Sequence, residues 1–209
     1  MSKKAVLCLS SFATVLLILY LAYEAKSYGY NTVSAFFGEY INRTQKYLFN
    51  GCLYGIPLIY GLSRPFMSPE YKIRLKNNIA YKLITKSIFD AMLISIWIML
   101  LFIMASALMN IKIDTGDFLI IIYIRLVILY AQCGSLYYLI YVLTNSEIIA
   151  ACGTMGINLL VLITILLYEF IVEPLHEISL NIFLLYICIS SLCAFVFLAY
   201  TVAYRKKNI

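Results

Sequence analysis

The stretch FLIIIYIRLVILYAQCGSLYYLIYVL, residues 118–143, decides the class of fold. Its 26 residues include one charged side chain, Arg125. A helix needs about 20 apolar residues to cross the hydrocarbon core of a bilayer, so this run is long enough to span it. The whole chain is similar: 64% of its 209 residues are hydrophobic, whereas soluble domains are about 45–50% apolar. The composition therefore predicts a membrane protein with no room for a soluble catalytic domain.

Together with this run, the other apolar segments predict an all-α membrane protein, a single domain over residues 1–209 with six transmembrane helices. The first run is interpreted as a retained helix and not as a cleaved signal peptide, because it is longer than a signal-peptide core. The second contains several glycines and Pro57, which predict a kinked or broken helix facing protein. The residues 144–147 predict a tight turn between the fourth and fifth helices. The predicted spans are 5–23, 47–62, 89–109, 118–143, 148–172 and 181–203.

The distribution of basic residues predicts that both termini are cytoplasmic. Eleven lysines and arginines share one side: Lys3, Lys4, six between Arg64 and Lys86, Arg205, Lys206 and Lys207. Four fall on the other side: Lys26, Arg43, Lys46 and Lys112. Because positive charge near helix ends favours the cytoplasmic side, the larger group is expected there.

The longest predicted cytoplasmic loop begins with SRPFMSPEYKIRLKNN, residues 63–78. Ser68, Pro69 and Glu70 are typical of a helix start, since serine caps, proline suits the first position and an acid opposes the helix dipole. We expect an interfacial helix that continues into the third span. Its charge could serve topology and attraction to anionic lipid alone, or dock a protein, and charge does not decide between these functions.

This order of parts resembles the permease subunit of a type-2 ABC exporter. In that family a basic helical loop after the second span is the coupling helix, which binds a separate ATP-binding cassette subunit. The resemblance assigns the family's lysine to Lys82 or Lys86. It places the ATPase contact at Glu70, Tyr71, Lys72, Arg74, Lys76 and Lys82. Two features depart from the family: only MSKK precedes the first span, and only IVEPLHEISLN precedes the last, so the family's re-entrant helical pair would be short or missing there.

The resemblance also implies partners and a location. A second permease copy or a paralogue would complete a dimer in the bacterial cytoplasmic membrane. ATP and Mg²⁺ would be bound by the partner subunit, because the chain has no G-x-x-x-x-G-K-[ST] phosphate-binding loop and no cofactor site of its own. No nucleic-acid partner is expected.

Polar residues inside the predicted spans are candidate pathway residues, because charge is costly in lipid. Arg125 is expected either to pair with Glu169 on the adjacent helix or to extend to the outer headgroups. Gln132 shares a face with Arg125, and tyrosines line the opposite face. Asn158 is expected to form an interhelical hydrogen bond. Asp90, expected at the start of the third helix, is predicted either to oppose the helix dipole or to pair with Lys86.

Small residues at the start of the fifth helix predict close helix packing. Cys152, Gly153 and Gly156 would let another helix approach, either within the subunit or across a dimer. The two possibilities are equal from the sequence.

The sequence argues against catalysis by this chain. The only histidine, His176, follows Pro174 in an outer loop and lacks the three ligands of a catalytic zinc site. The six cysteines show no metal or redox spacing, and no G-x-S-x-G nucleophile elbow is present. No catalytic or metal-binding residue is therefore predicted.

The leading hypothesis is a non-catalytic exporter subunit that forms a pathway for an amphipathic peptide, a lipid or a drug-like molecule. One alternative is the substrate-binding membrane subunit of a vitamin importer, although the middle of the first helix, where that class carries spaced alanines, offers only Ala13 and Ala22. A non-transport membrane protein of peptide immunity is the other alternative.

Overall fold

The computed structural model describes residues 3–29, 32, 55–63, 79–112, 116–171 and 180–207. This part of the chain is helical, with one isolated parallel bridge between Thr32 and Lys112 and no strand. The all-α class is confirmed for it. The helices are α1 (Lys3–Ser27), α2 (Ile56–Leu62), α3 (Ile79–Leu108), α4 (Gly116–Thr144), α5 (Glu147–Ile171) and α6 (Leu180–Lys207).

Four of these helices are long and apolar enough to cross a membrane: α1, α3, α4 and α5. The described side chains of α6 contribute a shorter apolar stretch, Cys188–Thr201, and α2 has only seven residues. Large apolar side chains such as Trp97 and Leu160 face outward, as expected for contact with lipid. The chain is thus a multi-pass membrane protein, and six crossings remain a prediction.

Helix α4 is the central element of the bundle. It contacts α2, α3, α5 and α6. Tyr130 and Tyr137 on its aromatic face are buried, and Gln132 on its polar face is buried as well. Its polar and aromatic faces therefore both pack on protein in the middle of the helix.

Helix α3 begins ten residues before the predicted span 89–109. Charged residues at positions 82, 86 and 90 interrupt the apolar run, but they do not interrupt the backbone helix. Asp90 therefore lies well inside α3 and not at its start. The 30 residues of α3 extend for about 45 Å at 1.5 Å per residue.

The predicted tight turn between α4 and α5 is confirmed. Asn145 ends α4 with a positive φ of 55°, a conformation that asparagine tolerates after a helix. Its backbone N–H donates to the carbonyl of Tyr141 at 2.8 Å. The Ser146 hydroxyl accepts a hydrogen bond from the backbone N–H of Ile149 at 3.4 Å and so caps α5.

The described part of helix α2 faces protein, as the glycines and proline of its sequence predicted. The kink or break predicted with them stays a prediction, because residues 47–54 lie outside the described part. Pro57 lies in the first turn of α2, and Ile56, Leu58 and Ile59 are buried. The backbone at Gly55 lies so close to the ring of Tyr130 that a Cβ there would meet Tyr130 Cδ1 at 2.7 Å. Only glycine fits this contact between α2 and α4.

Contacts between the helices show which ends lie together. Leu7 of α1 packs on Gly61 near the end of α2, and Asp90 in the first half of α3 bonds to Tyr138 in the last turns of α4. The bridge between Thr32 and Lys112 joins the opposite ends of α1 and α3. We call the end of the bundle that contains Leu7, Gly61, Asp90 and Tyr138 the polar end. Its cytoplasmic location rests on the charge distribution and stays a prediction.

Candidate functional site

A salt bridge lies in the first half of α3. The Lys86 ammonium donates a short hydrogen bond to the Asp90 carboxylate one turn later, which confirms the predicted pair. The side chains are 10% and 1% exposed, respectively. A buried charge requires a partner, and each residue supplies the charge that the other needs.

The second oxygen of the Asp90 carboxylate is bound by a different helix. The Tyr138 hydroxyl of α4 donates to Asp90 Oδ2 at 2.9 Å, and both groups are buried. The carboxylate thus accepts from α3 through Lys86 and from α4 through Tyr138. This satisfies both oxygens and joins two spanning helices.

Tyr137, which precedes Tyr138 on α4, bonds to a different neighbouring helix, α2. The Tyr137 hydroxyl lies 3.1 Å from the Ser63 hydroxyl at the C-cap of α2. The single Ser63 proton is donated to the carbonyl of Tyr60 at 2.8 Å, so Tyr137 acts as the donor to Ser63. The adjacent rings of Tyr137 and Tyr138 pack edge to face, with centroids 5.3 Å apart.

We name Ser63, Lys86, Asp90, Tyr137 and Tyr138 the polar cluster. It lies where the basic segment 64–78 joins the helices, because Ser63 precedes that segment and α3 begins at Ile79, directly after it. Further polar groups surround the cluster. Tyr60, Tyr141 and Glu147 are close enough to Tyr137 to interact with it electrostatically. Side chains from α2, α3, α4 and α5 therefore converge at the polar end.

A second buried polar contact joins α4 to α5. Gln132 Nε2 donates to Asn158 Oδ1 at 3.2 Å, and Asn158 Nδ2 donates to the carbonyl of Thr154 at 2.8 Å. The interhelical hydrogen bond predicted for Asn158 is thus present, and its partner is Gln132. The two residues predicted as pathway residues face each other in a packed helix interface.

We expect Gln132→Leu to lower the free energy of unfolding by about 1–2 kcal/mol, because it leaves the buried Asn158 amide without its partner on α4. The double variant Gln132→Leu, Asn158→Leu should lose less than the sum of the two single variants. The free energies of unfolding of the wild type and the three variants are measured by reversible unfolding in mixtures of lipid and detergent, as a double-mutant cycle. Strict additivity of the three variants would show that the contact contributes nothing.

Other predicted residues have mixed outcomes. Arg125 is half-buried, and the side chain of Glu169 lies outside the described part, so their pairing stays a prediction. Gly153 packs closely on α4, since a Cβ there would meet Ile140 Cδ1 at 3.1 Å. Cys152 is exposed, and a Cβ at Gly156 would meet no atom within 4 Å.

The predicted ATPase contact lies largely outside the described residues. This holds for Glu70, Tyr71, Lys72, Arg74 and Lys76. Lys82 is described; it lies in the first turn of α3 and is half-buried. His176 also lies outside the described part.

The link between Asp90 and Tyr138 was not predicted from the sequence, in which the tyrosines of α4 were expected to line one face and Asp90 to lie at a helix start. A signal was present nonetheless, because an aspartate inside an apolar helix needs donors beyond a single lysine. Which neighbouring helix would supply the donor depends on the packing of α3 against α4.

Comparisons of the chain with protein-family models, curated proteins and solved structures give no match.

Proposed function

We propose that this chain is the membrane-spanning subunit of an ATP-driven exporter in the bacterial cytoplasmic membrane. A separate subunit would bind and hydrolyse ATP, and a second permease copy or a paralogue would complete the pathway. The cargo class is an amphipathic peptide, a lipid or a drug-like molecule. The supporting observation is that both helices flanking the basic segment 64–78 are bonded to the same central helix, α4.

This arrangement suits a subunit driven from outside the membrane. A partner that pushes on segment 64–78 acts on the end of α2 and on the start of α3. Ser63 bonds the first to Tyr137, and Asp90 bonds the second to Tyr138. Packed helices move as rigid bodies rather than deform continuously, so work applied at the segment reaches the centre of the bundle. The sequence of the segment carries charges of both signs, with Glu70 among lysines and arginines, and so suits a partner of complementary charge.

The test is a photo-crosslink from the segment in native membranes. We expect a benzoylphenylalanine at position 72 to form an adduct with a polypeptide that carries the G-x-x-x-x-G-K-[ST] motif. Glu70→Arg should reduce the adduct severalfold, because reversing a charge in a complementary contact is strongly unfavourable. Mass spectrometry of the adduct identifies the partner.

Two controls make the result specific. The same crosslinker at Leu160, which is 65% exposed on α5, should label lipid and no ATPase. Glu24→Arg near the end of α1 makes the same charge change and should leave the adduct at position 72 intact. Absence of any ATPase adduct would contradict the proposal. A chain that purifies alone with a tightly held small molecule would instead favour the vitamin-importer class.

A further inference from the structure

Asp90 lies at the level of the hydrocarbon core. Tyr81, exposed near the start of α3, is typical of a side chain at the interface between membrane and water. Asp90 follows nine residues later, about 13 Å further along the helix. Around it, Ile88, Phe89 and Met92 are exposed, apolar and suited to contact with lipid. Ionisable side chains at such depth are rare in membrane proteins and often bind ions or protons.

The groups bonded to Asp90 are compatible with a change in its protonation. Among the residues that the structure describes, Lys86 and Tyr138 are the two that bond to the carboxylate. Protonated Asp90 would keep a carbonyl oxygen that accepts from Tyr138, but it would lose the charge that holds Lys86. The ligand is a proton, so the packed site needs no cavity to bind it.

Opposing effects set the affinity of Asp90 for a proton. Hydrocarbon disfavours a charged carboxylate, and this side chain is 1% exposed. The Lys86 ammonium and the Tyr138 hydroxyl stabilise the same charge. The other charged or titratable groups of the polar end are Lys3 and Lys4 on α1, Tyr60 on α2, Lys82 on α3, Tyr137 and Tyr141 on α4, and Glu147 on α5. The predicted topology adds Arg205, Lys206 and Lys207 at the end of α6. Most of these groups are basic and favour the carboxylate, so the site takes up a proton only on acidification.

We propose that Asp90 is a proton-binding site within the membrane, and that a proton bound there loosens the contact between α3 and α4. The charged hydrogen bond from Tyr138 becomes a neutral one, about half as strong. Lys86 is 10% exposed and lies about 7 Å along α3 from Tyr81, so its freed ammonium can extend to the headgroups. This inference goes beyond the proposed function and does not depend on it.

Infrared spectroscopy of the full chain in nanodiscs tests proton binding directly. A protonated carboxyl group absorbs at a C=O frequency distinct from that of a carboxylate. We expect such a band to grow as the pH is lowered from about 8 to about 4, and to be missing in Asp90→Asn. Glu24→Gln, near the end of α1, is the matched control and should retain the band.

Tyr138→Phe is a second test that keeps both the ion pair and the aromatic ring. It removes one donor to the carboxylate, so the affinity of Asp90 for a proton should rise roughly tenfold and the band should appear at higher pH. Tyr123→Phe, near the other end of α4, should leave the titration unchanged. This pair of variants decides the question even if Asp90→Asn does not fold.

Hydrogen exchange measures the structural consequence. After correction for the intrinsic pH dependence of exchange, amides at residues 79–90 should exchange severalfold faster once the band has grown. Amides at residues 150–160 of α5 should keep their rates. Asp90→Asn has no charge to lose, so its residues 79–90 should exchange at the faster rate throughout the titration.

Two results would overturn the inference. One is the same carboxyl band in wild type and in Asp90→Asn, with no shift in Tyr138→Phe. The other is unchanged exchange at residues 79–90 across the titration of the wild type. Neither result depends on whether an ATPase adduct forms at position 72, so the proton site and the exporter can fail separately.

Discussion

Lys86→Met is expected to lower the free energy of unfolding by about 3–5 kcal/mol, because it leaves the Asp90 carboxylate buried without its cation. The carboxylate is 1% exposed, so water cannot replace the ammonium. The remaining donor, Tyr138, stabilises a negative charge less than a lysine does. Unfolding of the chain in bicelles, followed by steric trapping or by titration with a denaturing detergent, measures the loss.

The matched variants separate charge from packing. The double variant Lys86→Met, Asp90→Asn should recover most of the stability, since it removes both charges and keeps an acceptor for Tyr138. Lys112→Met makes the same substitution at an exposed position beyond α3 and should change stability by less than about 0.5 kcal/mol. If the double variant is as unstable as Lys86→Met, the salt bridge is not the cause.

Gly134→Leu is expected to separate α3 from α4 and to cost about 3 kcal/mol, at the upper end of the range for overpacked sites. Helix α3 approaches α4 so closely at this glycine that a Cβ would lie 2.5 Å from the Ser87 hydroxyl and 3.7 Å from Ser87 Cα. Rotation of the Ser87 side chain relieves the first contact, but the backbone of α3 blocks a longer side chain. Thermal unfolding of the purified chain measures the effect, and Gly134→Ala should show a smaller loss.

Gly156→Leu is the control for this prediction. A Cβ at Gly156 meets no atom within 4 Å, so the larger side chain should be tolerated within one copy of the chain. If this face instead packs across a dimer, Gly156→Leu should weaken the dimer and leave the stability of the single chain unchanged. Sedimentation in detergent, run beside the unfolding experiment, distinguishes these outcomes. Equal destabilisation by Gly134→Leu and Gly156→Leu would contradict the packing argument.

The sequence predicted those features of the fold that depend on neighbouring residues. The hairpin at residues 144–147 follows from asparagine and serine at a helix boundary, and the structure has it. The pair of Lys86 and Asp90 follows from their spacing of four residues on one helix. The apolar run predicted the third span at residues 89–109, and α3 begins ten residues earlier, as expected for a helix that continues into this span. Charged side chains end an apolar run in the sequence without ending the helix.

The polar cluster was not predictable as a whole. Tyr137 and Tyr138 are two of 19 tyrosines, and their local sequence does not distinguish them from tyrosines that only pack. Their role depends on which helices lie beside α4. The interhelical bond of Asn158 was expected, whereas its partner Gln132 emerged only from the contact between α4 and α5.

The helical, membrane-spanning character of this chain follows from its residues alone, because the cost of exposing apolar side chains to water is a property of each residue and adds along the chain. The contacts of Asp90 with Tyr138 and of Ser63 with Tyr137 depend instead on the packing of the helices. The two residues of each pair are 48 and 74 positions apart in the sequence, so they form a hydrogen bond only if their helices are adjacent and the two residues lie at the same height in the bundle. This alignment depends on how all the helices pack.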